Sequence, residues 1–236
     1  SCMDAVLERA LSDAKILVDA GFNALIIENF GDQPFSSTDV GPATVAGMTR
    51  VVDRISQITH VPLGVNVLRN DAHAALGIAS ATAASFIRVN VHTGVMATDQ
   101  GIIQGQADKT LRYRKLLGKR VCVLADVQVK HAVPLGQQDL AEAAKDTAYR
   151  GLADGLIVSG VATGAPTDPR DIDIIKQAVP DRRLFVGSGV TQDTVAELLG
   201  KTGGVIVGTA LKQEGITVNP VDPARAKDFV KAAGLA

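Results

Sequence analysis

Seven short apolar runs, each followed by a longer amphipathic segment, predict a (β/α)₈ barrel without its first strand. The chain's 236 residues approach the roughly 250 of one such barrel. Polar and ionisable residues also recur at the C-terminal ends of the runs, where this fold builds its sites. An open doubly wound sheet is the alternative. Regular spacing and the absence of a Gly-rich turn after an early strand weaken it.

The elements follow in order. Asp4 to Ala20 reads as a helix with Val6, Ala10, Ala14, Leu17 and Val18 on one face, and Gly21 ends it. Ala24–Ile27 is a buried strand, and Pro42 to Ile58 a helix. Leu63–Val67 and Ser85–Val89 are strands, with a helix over Asp71 to Thr82 between them. A long polar loop through Gly105 leads to a helix ending at Leu117. Strands at Arg120–Ala125, Gly155–Val158, Leu184–Val186 and Gly204–Val207 alternate with helices at Leu140–Gly151, Arg170–Val179, Thr191–Leu199 and Asp222–Ala233. A closed barrel has eight strands, so the expectation is an upstream strand lying between Gly204–Val207 and Ala24–Ile27. Residues 1–236 read as one domain, with no linker or low-complexity tract.

Composition narrows the function classes. Hydrophobic residues at 46% and charged residues at 21% describe an ordinary globular chain. A net charge of −1, no Trp and 3% aromatic residues argue against a nucleic-acid surface. Cys2 and Cys122 read as reduced thiols, Cys122 as a small buried hydrophobe, and no CxxC metal spacing occurs. With neither a signal peptide nor a membrane-length apolar run, a soluble, cytoplasmic protein is expected. Peripheral membrane attachment stays open, and a homo-oligomer is expected.

Gly187, Ser188 and Gly189 follow one strand, and Gly208 and Thr209, with Lys212, follow the next. Glycines admit an anion close to the backbone, and these two loops are the usual phosphate cradle of such barrels. A small phosphorylated ligand is therefore expected. Asp126 ends an apolar strand, with Lys130 and His131 just beyond. The functional reading makes Asp126 a general base, Lys130 its electrostatic partner and His131 an acid. The plain alternative is a loop-capping Asp126 and a solvated Lys130. Glu28, Asn29, Asn66, Arg69, Arg88 and Asn90 stand at other strand ends as substrate-binding candidates. Arg88 is equally readable as an ion-pair partner of Glu28 inside the mouth. Glu28, Asp71, Asp99 and Asp126 are candidates for a divalent-metal site, although their spacing matches no known ligand pattern. No cofactor is identified. His92 is a weaker candidate, and His60 and His73 read as structural.

Several polar blocks carry a family resemblance. They are Glu28-Asn-Phe-Gly-Asp32 with Pro34-Phe35, Gly64-Val-Asn-Val-Leu-Arg-Asn-Asp71, Phe86-Ile-Arg-Val-Asn-Val91 and Thr98-Asp-Gln-Gly101. Ala125-Asp-Val127 with Lys130-His131, Gly187-Ser-Gly189 and Gly208-Thr209 with Lys212 belong to the same set. Together they resemble the BtpA/SgcQ family nearly end to end. That family opens with a strand and a His-Leu/Pro-Leu-Pro-Gly type loop, which this sequence does not contain. The resemblance implies a phosphate-binding type barrel without fixing a reaction. One class of members is associated with photosystem I biogenesis at the thylakoid membrane. Another sits among sugar-metabolism proteins, and members are described as similar to phosphoribosylanthranilate isomerase.

Three functions follow as expectations. The first is an isomerase, epimerase or lyase acting on a small phosphorylated metabolite, motivated by the converging polar strand ends. The second is a non-catalytic assembly factor for a membrane complex, which predicts an exposed apolar patch. The third is a ligand sensor without turnover.

Overall fold

The computed structural model describes residues 2–129, 131–136, 139–160 and 166–235. The elements in chain order begin with α1 (Cys2–Ala20), β1 (Leu25–Glu28), α2 (Pro42–Ser56), β2 (Leu63–Asn66), α3 (Ala72–Ala81) and β3 (Phe86–Val89). Next come β4 (Val95–Thr98), β5 (Gly101–Gln104), α4 (Ala107–Leu117), β6 (Cys122–Asp126) and β7 (Ala132–Pro134). They continue with α5 (Leu140–Lys145), β8 (Gly155–Val158), α6 (Pro169–Ala178) and β9 (Arg183–Val186), and finish with α7 (Val195–Lys201), β10 (Gly204–Val205) and α8 (Pro223–Ala232). A π-helical turn over Asp146–Arg150 extends α5.

Seven parallel strands form one curled sheet in the order β1-β2-β3-β6-β8-β9-β10, the architecture of a TIM barrel with one strand position open. Alternation along each strand separates its two faces. Val65, Ile87, Val123, Leu156 and Leu184 are buried in the outer apolar layers shared with the helices. Phe86, Arg88, Leu124 and Phe185 point inward and line a common cavity. Inside the barrel, large side chains face glycines. A side chain at Gly64 would run into the Phe86 ring, and a Cβ on Gly155 would stand 2.8 Å from Leu124 Cδ2.

Among the described residues β1 and β10 do not pair with each other. The helical layer is nevertheless continuous across that opening, because α1 packs against both α2 and α8. Asp13 of α1 accepts from Lys212 Nζ and from the Val221 N–H, each at 2.9 Å, and Phe22 stacks on Phe229 at 6.0 Å. A cavity of about 610 Å³ lies behind the opening, and its walls run from Leu17 and Ile26 to Val205 and Leu211.

Three expectations are corrected. The polar loop after β3 contains the hairpin β4–β5, which β7 joins to make a three-stranded antiparallel sheet. The helix expected from Thr191 starts at Val195, because Thr191 and Thr194 form a turn in which the Thr191 N–H donates to Thr194 Oγ1 at 3.0 Å. Cys122 is exposed rather than buried. It shares a strand face with Leu124, towards the open interior, whereas Val121 and Val123 on either side are buried. No helix among the described residues is long and apolar enough to cross a membrane.

Candidate functional site

The C-terminal ends of β2, β3 and β6 bring four polar side chains together. Arg88 is buried and donates from Nε and Nη2 to the two carboxylate oxygens of Asp126, each at 2.9 Å. Asp126 also accepts from Ser159 Oγ at 2.9 Å and from Asn90 Nδ2 at 3.4 Å. Asn66 donates onward to Asn90 Oδ1 at 2.9 Å and to the Arg88 carbonyl at 3.1 Å. Glu28, at the end of β1, lies 3.6 Å from Arg88 Nη1. The expected alternative of an Arg88–Glu28 ion pair is therefore realised, with Asp126 as the tighter partner.

Burial by itself would make the Arg88 guanidinium surrender its proton more easily. The charge and paired bonds of Asp126, with Glu28 behind them, outweigh that and raise its pKa above the ordinary arginine value. Arg69 is also buried, and for it burial prevails: its pKa is lowered, against the pull of Asp126 and Asp99.

Asp126 is the more enclosed of the two carboxylates in this group. Its carboxylate points into the barrel, but the side chain is 0% exposed and accepts from four donors. It lines neither of the two main cavities. A carboxylate so engaged holds Arg88 in place. Glu28 is more accessible, since its side chain is 29% exposed and lines both cavities.

The two cavities meet at Glu28, Phe30 and Arg88. The larger is lined beyond them by Gly187, Ser188, Gly189, Gly208 and Thr209, the expected phosphate loops. A Cβ at Gly187 would come to 2.5 Å from Ile157 Cγ2 and 3.3 Å from Arg88 Nη2, so this position must be glycine for the backbone to pass so near the guanidinium. Gly189 has φ of +67°. Ser188 Oγ accepts from the Gly160 N–H at 2.6 Å, tying the loops after β8 and β9 together. Lys212 is turned towards α1, paired with Asp13.

The second cavity, about 530 Å³, lies beneath the β5-β4-β7 sheet and is lined by Asn66, Arg69, Asn90, Asp99, Gln100 and His131 together with Glu28 and Arg88. His131 has φ of +56° and lines this cavity. Lys130 lies outside the described residues. Asn29 does not line either cavity. Its Oδ1 accepts from the Leu68 N–H at 2.7 Å and its Nδ2 donates to the Leu68 carbonyl at 3.3 Å, so it holds the turn that presents Arg69. His92 is enclosed, with Nε2 donating to the Gly151 carbonyl at 2.8 Å.

The four-carboxylate metal site is not assembled. Among the described residues no three of His, Cys, Asp and Glu gather to hold a metal. Asp71 instead caps α3, accepting from the Ala74 N–H at 2.8 Å and the Val40 N–H at 2.9 Å. Phe30 and Gln100 are not among the sequence candidates for binding or catalysis, whereas Ser159 is one of the polar residues that the sequence places at strand ends. Gln100 belongs to the Thr98-Asp-Gln-Gly101 block, whose polarity in so short a stretch was its one available signal.

The chain resembles known proteins over nearly its whole length. It is 49% identical over 230 residues to the photosystem I biogenesis protein BtpA of Synechocystis, covering 98% of this chain and 80% of that protein. It is 33% identical to the sgc region protein SgcQ of Escherichia coli K12, over 97% of this chain and 85% of that one. Among solved structures, N-(5'-phosphoribosyl)anthranilate isomerase from Pyrococcus furiosus superposes with a TM-score of 0.61 at 16% identity, covering 97% of this chain and 96% of the other, a likeness of fold. The BtpA family model matches residues 1–234, and this chain belongs to the BtpA family.

Proposed function

We propose that this protein is an enzyme that moves a proton on a small phosphorylated metabolite, as an isomerase, epimerase or lyase. One observation carries the reading: Arg88 stands where the two cavities meet, with the glycine loops on one side and the partly exposed Glu28 against it. The loops of Gly187–Gly189 and Gly208–Thr209 hold the phosphate, since glycine backbones admit an anion closely. Glu28 removes a proton beside a carbonyl or hydroxyl. Arg88, held rigidly by Asp126, stabilises the oxyanion that develops. His131 returns the proton, and Lys130 is the second cation of the same loop. The Pyrococcus furiosus neighbour is named for a phosphoribosyl compound. That likeness supports the scaffold, and the site supports the chemistry.

The test has two stages. Inorganic phosphate should raise the melting temperature of the wild type, and the double variant Ser188→Ala, Gly208→Val should lose that response while staying folded. A Cβ at Gly208 meets nothing within 4 Å, so the backbone there leaves room for a side chain to begin. Phosphorylated metabolites that bind are then incubated in D₂O and followed by NMR for proton exchange. Glu28→Gln should slow exchange by about 10²–10⁴-fold. Asp126→Asn should instead lower stability by about 3–5 kcal/mol, because it strips a buried guanidinium of its partner. Full exchange activity in Glu28→Gln sinks the proposed chemistry.

A second reading, a non-catalytic assembly factor for a membrane complex such as photosystem I, is favoured by one observation beyond the relative's name. Ile102, Ala97 and Val133 stand in register across β5, β4 and β7. Ile102 and Val133 are 68% and 66% exposed, and Leu135 extends this apolar row outward. Such a patch suits a partner surface.

A further inference from the structure

The second cavity carries more information than its volume. The hydrogen bonds of the mouth run in one direction only. Asn90 gives its amide N–H to the Asp126 carboxylate, which leaves its Oδ1 facing Asn66. Asn66 must then present Nδ2 to Asn90 Oδ1 and to the Arg88 carbonyl, both acceptors. Turning either amide over would set oxygen against oxygen. Asn66 Oδ1 is thereby fixed as an acceptor. It is buried and receives no hydrogen bond from any described residue.

A second amide repeats the pattern from the opposite wall. Gln100 sits in the β4–β5 turn and donates Nε2 to Asp99. Its Oε1 is buried and receives no hydrogen bond from the described residues. Both residues line the same cavity, alongside the carboxylates of Glu28 and Asp99. A buried polar atom without a partner costs free energy, so native structures rarely keep one without a purpose. Each belongs to a residue that lines the cavity, Asn66 at the end of β2 and Gln100 in the covering sheet.

We propose that the ligand's non-phosphate end is polyhydroxylated, a sugar or polyol phosphate whose hydroxyls donate to Asn66 Oδ1 and Gln100 Oε1. This rests on the phosphate-binding reading given above. The chemistry selects against other ends. A carboxylate would meet acceptor oxygens and the Glu28 and Asp99 charges. An ammonium would bring a further positive charge against Arg69 and Arg88, which line the same cavity. A hydroxyl donates without that charge, and a chain of hydroxyls can reach both walls. The cavities share Glu28, Phe30 and Arg88, so one elongated molecule can hold its phosphate in the glycine loops and its hydroxyls beneath the sheet. Contacts from both walls would also draw the β4–β5 turn down onto the ligand.

Isothermal titration of the full chain tests this with inorganic phosphate, a panel of pentose and hexose phosphates, and phosphoglycolate as the carboxylate-ended control. At least one sugar phosphate should bind about tenfold or more tightly than inorganic phosphate, and phosphoglycolate should not. Gln100→Met removes one acceptor at an outer turn while keeping side-chain length. It should weaken the best sugar phosphate by about tenfold, the effect of one hydrogen bond, and leave inorganic phosphate unchanged. Preference for phosphoglycolate, sugar phosphates no tighter than inorganic phosphate, or a Gln100→Met variant with undiminished sugar-phosphate affinity would each overturn the proposal. Failure of inorganic phosphate to bind the wild type identifies the phosphate reading as the step at fault, and the proposal falls with it.

Discussion

Single residues in this mouth divide by whether their polar atoms are satisfied. Asp126 has four donors and organises Arg88, whereas Glu28 keeps a face towards the cavities. The sequence marks both as carboxylates at strand ends and cannot rank them, because hydrogen-bond saturation depends on neighbours brought from other strands. Ser159 is 33 positions away from the carboxylate it serves. His92 shows how far enclosure alone can move a titration. Burial is the largest influence on it and holds its pKa below the ordinary 6.5, although the Gly151 carbonyl pulls the other way. The unfolded chain therefore takes up that proton more readily than the folded one. The His92 contribution is fully present above about pH 6.5 and is lost as pH falls through the lowered folded value. Urea unfolding at about pH 5 and about pH 8 measures it. His92→Gln, which keeps a donor for Gly151, should flatten this part of the pH dependence. An unchanged slope would place the titration elsewhere.

Among the elements, the strands impose their requirements through alternation. Gly64 leaves room on β2 for the Phe86 ring from β3, and Gly155 leaves room on β8 for Leu124 from β6. Gly64→Ala should therefore destabilise the protein by about 1–3 kcal/mol through overpacking, read as a lower urea midpoint at constant slope. Retained stability would mean that the ring has space to move aside. The main strands were legible in the sequence because their outer faces are continuously apolar, as in Gly155–Val158. The β4, β5 and β7 strands were not. They are about as long as the main strands, but together they bury few side chains, chiefly Met96 and Ile103, so no apolar signal survives in that polar stretch. The glycine loops were legible for a different reason: Gly187-Ser-Gly189 and Gly208-Thr209 are short local patterns that follow successive strands, even though the neighbours that crowd Gly187 come from other strands.

At the scale of the whole molecule, the sheet is interrupted between β10 and β1 while the helices are not. The sequence made the interruption visible by simple counting of seven strand runs. It led to the expectation of an upstream strand at that place, while the helical tie stayed hidden because it joins positions far apart in the sequence. Asp13 meets Lys212 across 199 positions and Val221 across 208. Contacts of that separation close very long loops, and their entropic cost must be met before they return any stabilisation. The docking of α1 onto α8 should thus come after the barrier in folding and be the first event in unfolding. Asp13→Ala should speed unfolding markedly and leave the refolding rate almost untouched, a pattern that stopped-flow chevron plots resolve directly. A comparable slowing of refolding would put this helix in the nucleus instead. If the kinetics follow the first course, the lifetime of the folded state is governed by one carboxylate on α1, whose partner Lys212 closely follows the glycine loop of Gly208 and Thr209.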